Sequence, residues 1–113
     1  MVKLIICATR KPGMSHEEFG KYWREKHGPL VKSVAEFSRH VRRYVQCHLE
    51  KTDVPFGIPG DYDGIAELWF DSIESAATAF REPKYLEIIR PDEGKFLDLQ
   101  KCISFVTKEN QVI

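Results

Sequence analysis

The sequence predicts an α+β fold in a single domain, residues 1–113, with one antiparallel sheet covered by helices on one face. The chain has 113 residues, which suits one domain and leaves no room for a second. Four short runs have the composition of strands, and two segments between them carry apolar residues at helical spacing. The order is strand, helix, strand, strand, helix, strand. That order predicts a four-stranded antiparallel sheet of the split βαβ type.

The first strand and the first helix have the clearest signals. An apolar run at residues 2–9 predicts a core strand. Ser15 and Glu18 predict a capping box, in which each side chain binds a free amide group at the start of the helix. The aromatic residues that follow are spaced to share one buried face: Phe19, Tyr22 and Trp23. We expect this helix to end at Gly28 in a left-handed conformation and Pro29 to begin another helix.

The second strand is predicted at residues 42–49, where the side chains alternate in character. The more apolar face, expected to meet the helices, carries Arg43, Val45, Cys47 and Leu49. The other face, expected to line a pocket or meet solvent, carries Arg42, Tyr44, Gln46 and His48. A long loop at residues 50–63 follows. Its apolar side chains predict a flap that closes over a pocket or a partner: Phe56, Ile58 and Tyr62.

The second half of the chain supplies two more strands and shorter helices. Residues 64–70 predict the third strand, with Ile65, Glu67 and Trp69 on one face. Asp71 and Glu74 predict a second capping box, and Pro91 predicts a helix break. The acids from Asp92 to Asp98 are expected to form a charged helix edge. Residues 102–107 predict the last strand, which completes the ferredoxin-like order.

An uncovered sheet face predicts a homodimer. Helices cover only one face of such a sheet, so the other needs a second layer if it carries aromatic groups. We expect two copies to pack sheet against sheet with a pocket between them. The face expected to be buried carries Tyr44, Gln46, His48, Glu67 and Trp69.

The composition argues against several classes of partner. Seventeen basic and 17 acidic residues balance, which gives no basic patch for nucleic acid. We expect no signal peptide and no membrane span, and therefore a cytoplasmic protein. The three cysteines form no Cys-x-x-Cys pair, so we expect reduced and mostly buried thiols: Cys7, Cys47 and Cys102.

Three groups of residues resemble the EthD family of the dimeric α+β barrel superfamily. The first is Arg10, Pro12, Gly13, Ser15, Glu18, Phe19, Tyr22, Trp23, His27, Gly28, Pro29 and Leu30. The second is the continuous segment 62–70. The third is Pro83, Tyr85, Pro91, Asp92, Glu93, Phe96, Leu97 and Asp98. The resemblance covers most of the chain, and it implies a ferredoxin-like protomer that pairs with a second copy into a closed barrel.

The resemblance implies less about the reaction. The superfamily includes lactone isomerases, cofactor-free oxygenases, polyketide cyclases, heme enzymes and proteins with no assigned activity. Fungal relatives act on polyketide-derived aromatic compounds as dehydratases, decarboxylases or oxygenases. A methylmuconolactone isomerase relative has a histidine at the position that matches His27. Because a shared fold does not transfer a function, only this residue-level match carries weight.

Four residues are candidates for catalysis: His27, Tyr44, His48 and Glu67. Histidine exchanges protons near neutral pH, so His27 suits a general acid–base, although it equally suits a helix cap. Tyr44 and His48 would polarise a carbonyl group if their strand face lines a pocket, and would otherwise meet solvent. Glu67 beside an indole is expected to have a raised pKa and act as a base. The alternative for Glu67 is a salt bridge to Arg42 or Arg43.

The function predicted from these residues is acid–base chemistry on an aromatic, lactone or quinone-like compound, without a cofactor. The residues expected to bind the substrate are Trp23, Gln46, Phe56 and Trp69. No pair of candidate ligands has a metal-binding spacing, so no metal site is predicted. Two alternatives remain open: a dimeric binding or accessory protein of an oxygenase system, and an oxygenase that works without a cofactor or with heme.

Overall fold

A computed structural model describes residues 1–58 and 60–113. Pro59, which falls within the predicted flap, lies outside the described residues. The strands are β1 (Val2–Ala8), β2 (Val41–His48), β3 (Gly64–Phe70) and β4 (Ile103–Thr107). The helices are α1 (His16–Tyr22), α2 (Gly28–Ser33), α3 (Ala35–Ser38), α4 (Ile73–Arg81) and α5 (Arg90–Glu93). Two π-helical turns, Trp23–His27 and Tyr85–Ile89, lead directly into α2 and α5.

The four strands form one antiparallel sheet in the order β2-β3-β1-β4. This is the predicted ferredoxin-like arrangement, in which β1 and β3 lie at the centre. The helices cover one face, and the core lies between them and the sheet. The largest fully buried side chains in this core are Phe19, Phe37, Phe70, Phe96 and Ile89.

The two faces of β2 are the reverse of the prediction. Tyr44 lies opposite Leu68 and Gln46 opposite Ala66, and both partners belong to the core beneath the helices. The face of Arg43 and Cys47 is therefore the open one. The prediction failed because polarity alone misjudged these side chains. Gln46 finds hydrogen-bond partners inside the fold, as described below, and the Arg43 guanidinium lies 4.7 Å from the centre of the Trp69 ring on the open face.

The first helix does not end at Gly28 as predicted. Gly28 has right-handed helical angles (φ −56°, ψ −52°), and its amide donates to the Trp23 carbonyl across a π turn. The helical path then continues through Pro29 into α2, and in the same way through Pro91 after the second π turn. Proline has no amide proton and crowds the carbonyl one turn earlier, so a wider turn in front of it lets the helix continue.

Packing against the Gln46 side chain favours a glycine at position 28. A Cβ atom at this position would lie 2.9 Å from the Gln46 side-chain nitrogen. The glycine therefore gives the side chain from β2 room to approach the helix backbone. The sequence correctly marks position 28 as special, but the glycine is favoured because it has no side chain and not because it adopts a left-handed conformation.

The capping boxes are confirmed at one helix and shifted at the other. Ser15 and Glu18 cap α1 reciprocally, as predicted. At α4 the box is formed by Ser72 and Ser75. Asp71 instead accepts hydrogen bonds from the Arg42 guanidinium, which removes it from the helix end.

The loop between β2 and β3 is held at its end by a buried carboxylate. Asp63 accepts hydrogen bonds from the Arg10 backbone and guanidinium, and it also contacts the His16 ring at 2.9 Å. In contrast, the side chains of Phe56 and Ile58 are 73% and 96% exposed. Phe56, Ile58 and Tyr62 nevertheless line an open pocket of about 520 Å³ with His48 and Ile65, and closure of the loop over a ligand or a partner stays a prediction.

The cysteine prediction holds only in part. All three thiols are free, but Cys47 is exposed on the open sheet face, while Cys7 and Cys102 are half-buried. Over the described part of the chain, no helix has the length and apolar character needed to cross a bilayer.

Two glycine-to-alanine variants test how closely the first helix packs on the sheet. A Cβ atom at Gly64 would lie 2.6 Å from the Trp23 indole and 2.7 Å from the Cys47 carbonyl oxygen. We expect Gly64→Ala to lower the free energy of unfolding by about 1–3 kcal/mol, the usual cost of overpacking. At Gly20 the nearest atom would be 3.7 Å away, so Gly20→Ala should raise the free energy of unfolding by about 0.5–1 kcal/mol. Urea unfolding of both variants measures the difference, and equal effects would contradict the packing described here.

Candidate active site

A buried histidine and a buried aspartate are paired between the two π-helical segments. His27 is the last residue of the first π turn, and its Nδ1 lies 2.8 Å from Oδ2 of Asp92 in α5. The Tyr22 hydroxyl donates to the other oxygen, Oδ1, at 2.6 Å. The Phe96 ring packs against the imidazole at a centroid distance of 4.7 Å. The Asp92 carboxylate thus has a donor on each oxygen.

The pKa values of this pair favour a neutral histidine and an ionised aspartate. Burial raises the pKa of Asp92, but the hydrogen bonds from Tyr22 and His27 together outweigh it and lower the pKa. Burial lowers the pKa of His27, and Asp92 only partly opposes this. Burial, together with Asp92, raises the pKa of Tyr22 to about 12. An ionised carboxylate can only accept at His27 Nδ1–H, which leaves Nε2 as an unprotonated acceptor.

His27 lies in the wall of a small enclosed cavity between the helices and the sheet. The cavity has a volume of about 60 Å³. Its apolar lining comes from β1, β3 and the helices. Its polar lining residues are His27, Tyr44, Tyr85 and Glu93. A general base inside a mostly apolar cavity is a common arrangement in enzymes that move protons on organic substrates.

Gln46 fixes the side of the cavity formed by β2. Its amide nitrogen donates to the Trp23 carbonyl at 2.9 Å and to the Tyr44 hydroxyl oxygen at 3.3 Å. Its amide oxygen lies 2.9 Å from Nε2 of His48, so this nitrogen carries the proton. The Trp23 indole packs on the His48 ring at 4.5 Å. The predicted residues Trp23, Tyr44, Gln46 and His48 therefore do meet, although only Trp23 and Tyr44 line the cavity.

This network leaves Tyr44 as a hydrogen-bond donor. Burial raises the pKa of Tyr44, although the hydrogen bond from Gln46 works in the other direction, so the phenol keeps its proton. Because Gln46 donates to the Tyr44 oxygen, the hydroxyl proton is available to another group in the cavity. Burial lowers the pKa of His48, with the nearby charges of Arg24 and His16 adding to the effect.

The structure does not bring the remaining predicted residues to this cavity. Glu67 and Trp69 lie on the open sheet face, and Lys3 Nζ binds the Glu67 carboxylate at 2.7 Å. That contact lowers the pKa of Glu67, so the expected raised pKa is wrong. Of the two predicted alternative partners, Arg42 binds Asp71, and the Arg43 guanidinium lies over the Trp69 ring. Phe56, exposed in the loop, is also absent from the cavity lining.

Sequence reasoning missed the second half of the site. Asp92 and Glu93 were expected on a charged helix edge, but Asp92 is buried against His27 and Glu93 reaches the cavity. The pair is separated by 65 positions, so no local spacing connects it. The available signal was the acidic pair directly after Pro91, in a stretch that otherwise supplies apolar residues to the core. Within residues 1–58 and 60–113, no three potential ligands are grouped to hold a metal ion.

Comparisons with known proteins agree on one family. Residues 11–100 match the EthD domain. A conidial pigment biosynthesis dehydratase EthD from Metarhizium robertsii is 32% identical over 107 residues, which cover 87% of this chain and 75% of the relative. A decarboxylase from Claviceps purpurea is 26% identical over 109 residues, covering 88% and 77%. The solved structure of an EthD family protein from Bacillus halodurans superposes with a TM-score of 0.71 at 21% identity, covering 97% and 99%.

Replacing Asp92 by asparagine tests the electrostatic description of the pair. The carboxylate is what opposes the effect of burial on His27, so Asp92→Asn should lower the pKa of His27 further. Because Tyr22 and His27 lose a charged partner, we also expect unfolding free energy to fall by about 1–3 kcal/mol. NMR titration of the His27 ring measures the first effect, and thermal unfolding the second.

Asp53→Asn is the matched control, since Asp53 is exposed in the loop and, among the described residues, forms an ion pair with Lys51 alone at 3.8 Å. This variant should leave the His27 titration unchanged. A His27 pKa that stays constant or rises in Asp92→Asn would refute the description.

Proposed function

The chain belongs to the EthD family, and on that premise we propose that it is a cofactor-independent small-molecule enzyme that uses His27 as a general base. The observation that carries the proposal is the buried His27–Asp92 pair in the wall of an apolar cavity. Asp92 holds the Nδ1–H tautomer, so Nε2 can accept a proton. Among the described residues, Nε2 forms no hydrogen bond, which leaves it free for a substrate.

The reaction class that fits these groups is removal of a proton next to a carbonyl group. His27 Nε2 would take the proton from the carbon, and negative charge would develop on the carbonyl oxygen. The Tyr44 hydroxyl, held by Gln46 and free to donate, would stabilise that oxygen as an enolate. If the neighbouring carbon carries a hydroxyl group, loss of water follows and forms a carbon–carbon double bond.

The relatives favour elimination among the reactions open to such an enolate. The dehydratase from Metarhizium robertsii supports loss of water, and the decarboxylase from Claviceps purpurea supports loss of carbon dioxide as the second candidate. Both reactions would pass through an enolate, so the Tyr44 hydroxyl can stabilise the negative oxygen in either reaction. We propose cyclic β-hydroxy ketones, which become aromatic on losing water, as the substrate class.

The substrate would reach His27 through an open groove next to the cavity. The cavity of about 60 Å³ admits a few water molecules but no aromatic ring. A groove of about 680 Å³ lies outside it, and Val31 and Tyr44 line both spaces. Movement of this shared wall would join them into a space of the size typical for ligands. The groove carries four basic side chains, which suit an acidic or phenolic compound: Arg24, Lys32, Arg42 and Arg43.

We also propose that the protein works as a homodimer through its open sheet face. The face carries Ile65, Ile103 and Phe105, which are 38%, 50% and 47% exposed in the single chain. These side chains lie around the central strands, where the helices give no cover. Of the five residues predicted for this interface, only Glu67 and Trp69 lie on the face. Tyr44, Gln46 and His48 point to the helices.

The catalytic role of His27 is tested with 3-hydroxy-1-tetralone, a β-hydroxy ketone that gives fluorescent 1-naphthol when it loses water. His27→Gln keeps hydrogen-bonding capacity but cannot exchange a proton near neutral pH. We expect it to lower the rate of naphthol formation by about a hundred- to ten-thousand-fold, while the far-ultraviolet circular dichroism stays unchanged. His40→Gln is the control, because His40 does not line the cavity.

The alternatives give different results in the same assay. A purely structural role, in which His27 only pairs with the Asp92 carboxylate, predicts that His27→Gln lowers the melting temperature and leaves turnover per folded protein unchanged. A binding or accessory protein predicts that wild-type protein binds 1-naphthol but forms none. Either result would refute the proposal.

The dimer is tested by placing a charge on the open face. We expect sedimentation to give twice the chain mass for the wild type and the chain mass for Ile65→Asp, because the carboxylate would be buried without a partner. Ile73→Asp, at an exposed position on α4, should remain dimeric. A wild-type monomer throughout the micromolar range would rule out this interface.

A further inference from the structure

Glu93 is a second acidic group in the cavity wall, and its surroundings differ from those of Asp92. The two residues are adjacent in α5, but Asp92 binds His27 while Glu93 lines the cavity. The Tyr85 hydroxyl donates to Glu93 Oε2 at 2.7 Å. The other oxygen, Oε1, lies 3.7 Å from the Arg90 guanidinium, which is beyond hydrogen-bonding distance. One carboxyl oxygen is therefore anchored and the other is available.

The proposed elimination needs an acid as well as a base. Hydroxide is a poor leaving group, so the carbon–oxygen bond breaks readily only if the oxygen receives a proton. His27 holds the abstracted proton on one side of the reacting bond. A separate donor on the same cavity allows the oxygen to be protonated as it leaves.

We propose that Glu93 is the general acid that protonates the departing hydroxyl group, with Tyr85 positioning its carboxyl group. This inference rests on the function proposed above and assigns its missing proton donor. In the step, the enolate electrons form the new double bond and the carbon–oxygen bond breaks. The Glu93 proton then completes a water molecule. Transfer of the proton from His27 back to Glu93 restores both groups, so the reaction consumes no other reagent.

The groups that face Glu93 together favour the protonated form of its carboxyl group. Burial raises the pKa of Glu93, and the adjacent Asp92 charge acts in the same direction. The Tyr85 hydrogen bond and the Arg90 charge oppose this rise without cancelling it. Tyr44 and Cys102 are the other titratable groups near this carboxyl, and each stays protonated because burial raises its pKa.

The alternative to the acid role is a purely structural role for Glu93. In that case the carboxyl group would only hold the Tyr85 hydroxyl inside the fold. Glutamine can accept the same hydrogen bond, so Glu93→Gln would then keep both stability and activity. The acid role and the structural role therefore predict different kinetics for one variant.

The kinetic test uses the pH dependence of kcat/KM for 3-hydroxy-1-tetralone. We expect a bell-shaped profile, because activity needs unprotonated His27 together with protonated Glu93. Glu93→Gln should lower kcat/KM by about a hundred- to ten-thousand-fold and abolish the limb that Glu93 sets. Glu87→Gln is the matched control, because Glu87 is exposed on the same helical segment and contacts only Lys84.

Tyr85→Phe gives a readout that a structural role does not move. The Tyr85 hydrogen bond stabilises the Glu93 carboxylate, so its loss should raise the Glu93 pKa and shift the limb that Glu93 sets to higher pH. Carbon-13 NMR of the Glu93 carboxyl follows the same titration without substrate. There we expect a pKa above the ordinary value of about 4.3 in the wild type and a further rise in Tyr85→Phe.

Each outcome decides between the two proposals. Full activity in Glu93→Gln, or a carboxyl that titrates at or below its ordinary pKa, overturns the role of Glu93. If His27→Gln is inactive in the same experiment, the proposed function still stands. A wild-type protein that forms no naphthol overturns both proposals together.

Discussion

The hydrogen bond from the Gln46 amide to the Trp23 carbonyl joins the sheet to the first helix, and much of the site depends on it. The carbonyl already receives the Gly28 amide across the π turn, so it serves two donors. A side chain at position 28 would displace the Gln46 amide from this position. At position 64 a side chain would meet the Trp23 indole and the Cys47 carbonyl oxygen. Both glycines thus give room to groups that pack around Trp23.

The two π turns place the His27–Asp92 pair. Each turn lies just before a proline, and each carries or leads into one partner: His27 ends the first, and Asp92 follows the second by three residues. A π turn shifts the residues after it around the helix axis relative to a regular helix. Both side chains of the resulting pair are buried. Prolines at positions 29 and 91 are therefore part of how the chain brings His27 and Asp92 together.

Groups of similar chemistry around the cavity have different pKa shifts because their surroundings differ. Asp92 has a donor on each oxygen and a lowered pKa, whereas Glu93 has one hydrogen bond, a distant guanidinium and a raised pKa. Burial disfavours the charged forms of Tyr44 and His27. Groups whose charged forms are disfavoured, placed around one mostly apolar space, suit the proton transfers proposed above. The salt bridges on the open face, by contrast, involve ordinary ionised groups.

The sequence by itself determined the order of the elements, the four-stranded antiparallel sheet and the Ser15 capping box, and it indicated His27 as a candidate for catalysis. These features depend on local patterns: strand alternation, helical spacing and the chemistry of helix starts. Only the tertiary structure decided which face of β2 meets the helices, since Gln46 and Tyr44 are polar residues that find partners inside. It alone also joined His27 to Asp92 and brought Glu93 to the cavity. Contacts between residues about 65 positions apart depend on how helices pack, and no local pattern encodes that packing.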